Sequence, residues 1–572
     1  MQPQTKQCQN CKNDFTIESD DFAFYEKIKV PPPTFCPECR MQRRYSWRNE
    51  RTLYKRKCDL CMTDMITVYS PDKPYKVYCS ECWWGDGWSP ENYRMDFDFS
   101  RSFFDQFQEL MLNTPRVGLM AKNCINSKYV NHSASSQNCY MSFVAWESED
   151  LIYSTSIING KGCVDCYRTE QLPNENLYEC IFCSQLYDSQ YCYNVHNSFN
   201  CLYSFDLKNC NDCFLSYNLR GKSYCFMNKQ LTKEEYKNKI KEFDLGSYKV
   251  RKDLYIKWID IIKNKSIHKF SIIERSTNCT GNIIFHSKNC KDCFECSKTE
   301  DSKYITTGVS LKDSMDSYHV GTGATELIYE THALTGTNCM FSHLCYDSSF
   351  VSYCDTCHNS NYLFGCVSVK KGEYMIFNKK YSKEKFIEMK DKIIEHMKKT
   401  GEYGEFFPSN ISPFAYNETQ GSLYMPITKA EALSKGFGWQ DNLPTTFGLE
   451  TINTDDIPDN ISDIKEEFTE EILKCSESGK NYRIIRDEII FYKKNNIPIP
   501  RIHPDERYKY RINIKPLRKN YHRSCMCGSD GSPQATSDHG HEGKCPNEFE
   551  TSYAPDRPEI VYCESCYQKE VI

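Results

Sequence analysis

Through the middle of this chain the apolar positions do not fall at the three-to-four spacing of an amphipathic helix. From about residue 122 the text reads "KNCINSKYVNHSASSQNCYMSFVAWESEDLIYSTSIINGKGCVDCYRTE". Tyr129, Tyr140, Tyr153, Tyr167, Tyr178, Tyr191 and Tyr203 return every 11 to 14 residues, with Asn, Ser, Asp and Gly between them. Short β-prone triplets separated by turn formers at a fixed step predict a stacked β-solenoid, in which each rung satisfies its backbone through the next. Two such steps are expected to make one coil. The pattern is written twice: "SQNCYMSFVAWESEDLIY" from Ser136 aligns with "SKNCKDCFECSKTEDSKY" from Ser287, and "FMNKQLTKEEY" from Phe226 with "IFNKKYSKEKF" from Ile376. Each copy then turns helical. Thr232 with Glu235 makes a capping box ahead of "YKNKIKEF", and Ser382 caps "KEKFIEMKDKIIEHMKK", so a charged helix is expected to plug the open strand edges of each last rung.

Helical periodicity is predicted in few other places. Residues 96–113, "DFDFSRSFFDQFQELMLN", put Phe103, Phe104, Phe107 and Leu110 on one side and read as a connecting helix. Residues 405–465 are rich in Pro, Asn and Thr, turn acidic toward "NTDDIPDNISDIKEE", and read as a linker with short helices near "TKAEALSKG" and "EEFTEEILK".

The two ends carry a different text. Residues 8–82 hold four pairs, Cys8 with Cys11, Cys36 with Cys39, Cys58 with Cys61, and Cys79 with Cys82, each spaced CxxC. Each such pair folds a knuckle whose amides point at the sulfurs, and two knuckles close a tetrahedral four-thiolate site around zinc. Pairing in sequence order is the simplest arrangement, although spacing also permits crossed pairing. The stretch "CQNCKNDFTIESDDFAFYEKIKVPPPTFCPECR" is similar to a small bacterial zinc-binding domain of treble-clef or ribbon type, whose pattern runs CxxCGxxF, an aromatic pair, then Pro before CPxCR. The match covers residues 8–44 and departs at Lys12, where the family pattern has Gly. The resemblance implies a zinc fold with Cys8, Cys11, Cys36 and Cys39 as ligands, and no activity. More widely, the chain resembles large Cys-rich proteins of candidate-phylum bacteria.

The carboxy-terminal end repeats the module with losses. Aligned without a gap, Cys8 falls on Cys475, "FYEK" on "FYKK", Arg40 on Arg507 and Cys58 on Cys525, whereas Cys11, Cys36 and Cys39 have become Ser478, His503 and Glu506. Either this lobe lost its metal, or Cys475, His503 and Glu506 hold a weaker mixed-ligand ion. Further on, "YAPDRPEIVYCESC" matches "YSPDKPYKVYCSEC", so Cys563 and Cys566 stand for Cys79 and Cys82, and Cys525-x-Cys527 replaces the CxxC. An insertion of 17 residues also brings His539, His541 and Cys545, which leaves the fourth ligand open. Cys525, Cys527, Cys563 and Cys566 are the expected ligands, for about three structural Zn²⁺ sites in all.

Composition adds three constraints. With 34 Cys and 40 Tyr the chain is suited to many short strands rather than a helical bundle. No stretch approaches the length of a membrane span, the opening residues have no apolar run, and a cytoplasmic protein with reduced thiols and no membrane partner is expected. The twenty cysteines of the repeats, among them Cys163, Cys166, Cys180, Cys183, Cys210, Cys213, Cys290, Cys293, Cys296, Cys354 and Cys357, then act either as further metal ligands or as a buried ladder of small side chains.

The formal charge of -5 excludes a polycation, so any nucleic-acid role must be local. The strip "RMQRRYSWRNERTLYKRK" supplies Arg40, Arg43, Arg44, Arg48, Arg51, Lys55, Arg56 and Lys57, interleaved with aromatic rings, and its copy supplies Arg507, Lys509 and Arg511. Such strips suit phosphate contact and base stacking. Equally, they can neutralise the thiolate clusters or pair with acidic stretches of the repeats. No Walker loop, GxSxG or HExxH is present, and only His343 near Cys345 and His358 after Cys357 bring Cys and His together, so nothing marks an enzyme.

The expected architecture is mainly β and multidomain: a two-site zinc module (1–95), a connecting helix (96–117), two solenoid domains (118–268 and 269–404), a linker (405–465) and a degenerate zinc module (466–572). The expected function is a non-enzymatic zinc-stabilised scaffold contacting nucleic acid or an acidic partner through the basic strips. Protein–protein assembly through the solenoid faces is the alternative.

Overall fold

The structure, a computed structural model, describes residues 2–169, 174–321, 323, 325–529 and 539–572. The chain is mainly β, with cysteine-rich modules near both ends and large parallel sheets between them. It forms two compact units that interleave in sequence. One contains residues 1–119, 271–443 and 518–520, the other 120–270, 444–517 and 521–572. Each unit thus combines one terminal module with one copy of the repeat, the amino-terminal module with the second copy and the carboxy-terminal module with the first. Among the described residues no helix is long and apolar enough to cross a membrane.

Among the described residues the repeat in the second unit forms a thirteen-stranded sheet. Most of its strands pair in parallel with residues twelve positions on, as Leu151 with Cys163, Cys201 with Cys213 and Cys213 with Cys225, and others with residues fourteen on, as Cys163 with Leu177. Among the described residues the first unit has an eleven-stranded sheet in which a step of twelve recurs, as in Val351 with Leu363 and Leu363 with Met375, beside steps of eleven and fourteen, as in Ile328 with Cys339 and Met315 with Tyr329. Where two steps were expected, a single step of about twelve residues returns the chain to the neighbouring strand.

The reason lies in the backbone. A left-handed residue recurs at every third position, for example Asn194, Asn197, Asn200, Tyr203, Asp206, Asn209 and Asp212, all with φ between 49° and 57°. Asn and Asp tolerate this conformation best, which explains the Asn-Cys and Asp-Cys pairs throughout the repeats. The corner redirects the chain before each inward residue, so positions three apart face the same interior. Cys180, Cys183, Leu186, Ser189, Cys192, Val195, Ser198, Cys201 and Ser204 are all buried. Their polar atoms are satisfied along the stack: Ser154 Oγ donates to the Cys163 carbonyl at 3.0 Å and accepts from Cys166 N at 3.1 Å, and the Cys183 thiol donates to the Ile181 carbonyl at 3.3 Å.

Both sheets end as the sequence predicts. A short antiparallel turn, Phe226 with Lys229 and Ile376 with Lys379, closes the ladder, and the helices Lys233–Lys241 and Lys383–Thr400 follow. Thr232 Oγ1 accepts from Glu235 N at 3.2 Å and Ser382 Oγ from Lys385 N at 3.3 Å. The connecting helix runs Phe103–Asn113 and buries Phe103, Phe104, Phe107 and Leu110.

Candidate metal centres

The amino-terminal module is built twice on one plan. A hairpin, Gln4–Gln7 with Asp14–Ile17, carries the first knuckle, and a second hairpin, Tyr54–Lys57 with Asp64–Thr67, carries the third. Lys12 takes φ 64° and Met62 φ 62°, the left-handed turn that Gly makes most easily. The partner knuckle in each case opens a helix, with Cys36 capping Pro37–Tyr45 and Cys79 capping Ser80–Trp84. Amides at a helix N-terminus favour a thiolate there.

Four sulfurs converge in each place: Cys8, Cys11, Cys36 and Cys39, then Cys58, Cys61, Cys79 and Cys82. The pairing follows sequence order. Around an ion with bonds of about 2.3 Å, tetrahedral sulfurs stand about 3.8 Å apart. The structure gives 3.7 Å for Cys11–Cys36 and 3.9 Å for Cys61–Cys79, far from the disulfide length of about 2 Å. Backbone amides support the cluster, Cys36 N donating to Cys8 Sγ and Cys79 N to Cys58 Sγ, each at 3.2 Å. The hydrogen bond from Cys36 is the main reason the Cys39 thiol is lowered to about 5, with a further bond from Asn10 Nδ2 at 3.3 Å. Closed, soft, tetrahedral sets of this kind are compatible with zinc.

In the carboxy-terminal module the fourth sulfur is corrected. Cys525, Cys545, Cys563 and Cys566 converge, all buried, with Cys545 Sγ 4.0 Å from Cys563 Sγ and 3.7 Å from Cys566 Sγ. Cys527 falls instead in a second group with His539, His541 and Cys566. The insertion sits inside the knuckle, and its middle, residues 530–538, lies outside the described residues. Cys525 N bonds the Asn547 carbonyl just as Cys8 N bonds that of Asn13 and Cys58 N that of Thr63. Cys545 precedes Asn547 by the same two positions that separate Cys11 from Asn13, and that alignment from the far side of the insertion is the signal that sequence reading missed.

The stripped lobe keeps its shape without gathering ligands. Cys475 Sγ still accepts from His503 N at 3.2 Å, but the His503 ring turns to cap the helix Pro504–Ile514, its Nδ1 accepting from Asp505 N at 3.1 Å. Glu506 is held by Lys480 and Lys509, both at 3.0 Å. Cys475, His503 and Glu506 form no metal group among the described residues, and neither do the repeat cysteines, which lie in the stacked interior.

The basic strip lies largely in the interior. Arg40, Arg43, Arg44 and Arg48 are buried. Arg40 meets Asp316 at 2.8 Å, Arg44 meets Glu330 at 2.6 Å and Asp316 at 3.3 Å, and Arg43 lies 3.2 Å from Glu330 and 3.0 Å from Glu405. Arg48 pairs with Glu50 and lies 3.2 Å from His332 Nε2. In the second unit Arg507 and Arg511 repeat the arrangement on Asp165, at 2.9 and 2.8 Å, and Arg511 also reaches Glu179 at 2.8 Å. Carrying the Ser136–Ser287 alignment forward puts Asp165 on Asp316 and Glu179 on Glu330, so acid and base are duplicated together. Lys55, Lys57 and Lys509 are exposed, while Arg51 and Arg56 are half-buried, Arg56 lying 3.0 Å from Asp59.

The two Cys/His neighbourhoods are also interior. His343 Nδ1 lies 2.8 Å from Asp355, which is paired with buried Arg116, and His358 stacks on Tyr346 with a centroid separation of 5.7 Å. Burial would raise the Asp355 carboxyl, but the Arg116 charge and the His343 hydrogen bond outweigh it and hold the group well below the usual range.

No family model matches the chain, and no curated protein matches it. Among solved structures, a crystal structure described as a "putative acetyltransferase" from Desulfovibrio desulfuricans G20 is similar at 10% identity over 42% of this chain, with a TM-score of 0.09. The chain spans 60% of that protein's length, and a likeness this slight says nothing about the fold.

Proposed function

We propose that this chain is a non-enzymatic, zinc-stabilised scaffold, in which two β-solenoids are each locked to one terminal module and offer their outer faces to protein partners. One observation carries this reading. Six of the eleven basic residues that would contact nucleic acid are buried against carboxylates of the same chain. A guanidinium held in this way binds no phosphate without leaving an unpaired acid in the interior, at a cost of about 3–5 kcal/mol. The modules therefore serve as clamps on the repeats, and zinc would hold the amino-terminal clamp in shape.

Sedimentation equilibrium across a wide concentration range, with and without a single-stranded RNA oligonucleotide, tests the reading. Expected is concentration-dependent association that RNA leaves unchanged. A chain that stays monomeric and binds RNA with steep salt dependence, weakened by Lys55→Ala, Lys57→Ala and Lys509→Ala, overturns it.

A further inference from the structure

We infer that the carboxy-terminal module holds two metal ions bridged by one thiolate, that of Cys566. Cys566 belongs to both ligand groups of this module, the all-sulfur set with Cys525, Cys545 and Cys563 and the mixed set with Cys527, His539 and His541. A sulfur with more than one lone pair can bind two ions at once, so the sets need not compete.

The mixed set is prepared for an ion by its outer partners. His539 Nε2 lies 2.6 Å from the Glu570 carboxylate, whose side chain is 6% exposed, and this contact puts the ring proton on Nε2 and leaves Nδ1 as the free lone pair. That Nδ1 lies 2.7 Å from Cys527 Sγ, a pair that an ion between them would part to about 3.5 Å. His541 is fixed the other way round. Its Nδ1 donates to the Gly543 carbonyl at 3.0 Å, and its Nε2 lies 3.5 Å from Cys566 Sγ, the edge length expected of a tetrahedron with one sulfur and one nitrogen. Both imidazoles thus turn an unprotonated nitrogen toward the sulfurs, each with its other nitrogen engaged, as metal-binding histidines do.

Charge points the same way. Five buried cysteines crowd this module, and with one divalent ion the four thiolates of the all-sulfur set would leave a net charge of about −2 in the interior. A second ion, taken up with the Cys527 thiolate, brings it to about −1. Two neutral histidines and two thiolates complete a tetrahedral set of the kind zinc takes in structural sites.

This inference rests on the zinc reading of the other modules, and counting ions separates the two. Native mass spectrometry of the full zinc-loaded chain is expected to give about four ions, one per ligand group. The double variant H539A/H541A should lose one of them, and C566S should lose two. Three ions in the wild-type chain, unchanged in H539A/H541A, overturns the bridged pair while leaving the zinc reading intact. No zinc at all overturns both. Should the histidine variants not fold, the cobalt-loaded wild-type chain decides: mixed sulfur–nitrogen coordination beside all-sulfur coordination is expected, and purely all-sulfur spectra contradict it.

Discussion

The first lobe of the amino-terminal module and its carboxy-terminal copy share a fold but differ in what holds it. In the first, Cys8, Cys11, Cys36 and Cys39 close around an ion site. In the copy only Cys475 remains, and His503 and Glu506 have become a helix cap and a partner of lysines. Yet Arg40 stacks over Tyr304 and reaches Asp316 in one, and Arg507 stacks over Tyr153 and reaches Asp165 in the other. Arg40 Nη1 donates to the Phe35 carbonyl and Arg507 Nη1 to that of Ile502, the aligned residue. What the two lobes have in common is the clamp on the repeat; a set of four converging sulfurs that could hold an ion is present in one of them and not in the other. In the copy, a cluster that includes Ile461, Ile464, Ile489 and Ile497 packs with Tyr178 and Tyr492, so neighbouring chain supplies the stability a zinc ion would otherwise contribute.

The comparison breaks most sharply at the metal. Stripping zinc with a chelator, or replacing Cys36 by Ser, should destabilise the first lobe by up to the order of 10 kcal/mol, read as lost amide protection in hydrogen exchange. His503→Ser in the copy should change protection by less than about 1 kcal/mol, since Ser caps the helix equally well. Equal losses in both would mean the copy also depends on an ion.

Next in size is the clamp. Asp316→Asn and Asp165→Asn each leave two arginines facing a neutral amide, and each should cost about 3–5 kcal/mol in denaturant titrations of its own unit. Similar values in the two units sharpen the comparison, and a large effect in only one would break it.

The third difference titrates. Where the first lobe has Asp21 bonded to Lys303 Nζ at 2.8 Å, the copy has Glu488, which accepts from the Tyr153 and Tyr492 hydroxyls at 3.1 and 3.0 Å. Burial dominates there and raises the Glu488 carboxyl to about 7 against the pull of Arg507. Its folded pKa therefore lies above its unfolded value, so its contribution is fully present below about pH 4.5 and is lost as pH rises to about 7, on the order of 3 kcal/mol in all. Glu488→Gln should flatten that stretch of the stability profile of the second unit and stabilise it at pH 8. An unchanged profile would mean that the carboxyl is ionised in place.

Smallest is the contrast between thiols. Cys201→Ala, in the stacked interior, should cost about 1–2 kcal/mol for its lost contacts and leave the ion count unchanged, whereas any module ligand changes the count.

Much of this was legible in the sequence. The CxxC pairs of the first module marked which sulfurs converge and in what order, the turn-forming step pointed to many short strands, and Thr232 and Ser382 marked the helix starts. Two things were not. Two steps per coil were expected where one suffices, because the backbone turns at every third residue, and Asn138-Cys139, Asn200-Cys201, Asp212-Cys213 and Asn289-Cys290 mark that turn in the text. The clamp escaped because no local pattern links Arg40 to Asp316 or Arg507 to Asp165; only the joint duplication of both partners records the contact. Nor does the linear order of the text record that the first module shares a unit with the farther repeat.

Arginine-selective dicarbonyl labelling of the native chain, read residue by residue by mass spectrometry, tests the clamp most directly. Arg40, Arg43, Arg44, Arg48, Arg507 and Arg511 should stay unmodified until the chain is unfolded, while an exposed arginine such as Arg101 reacts at once. Rapid labelling of those six in the native chain would contradict it.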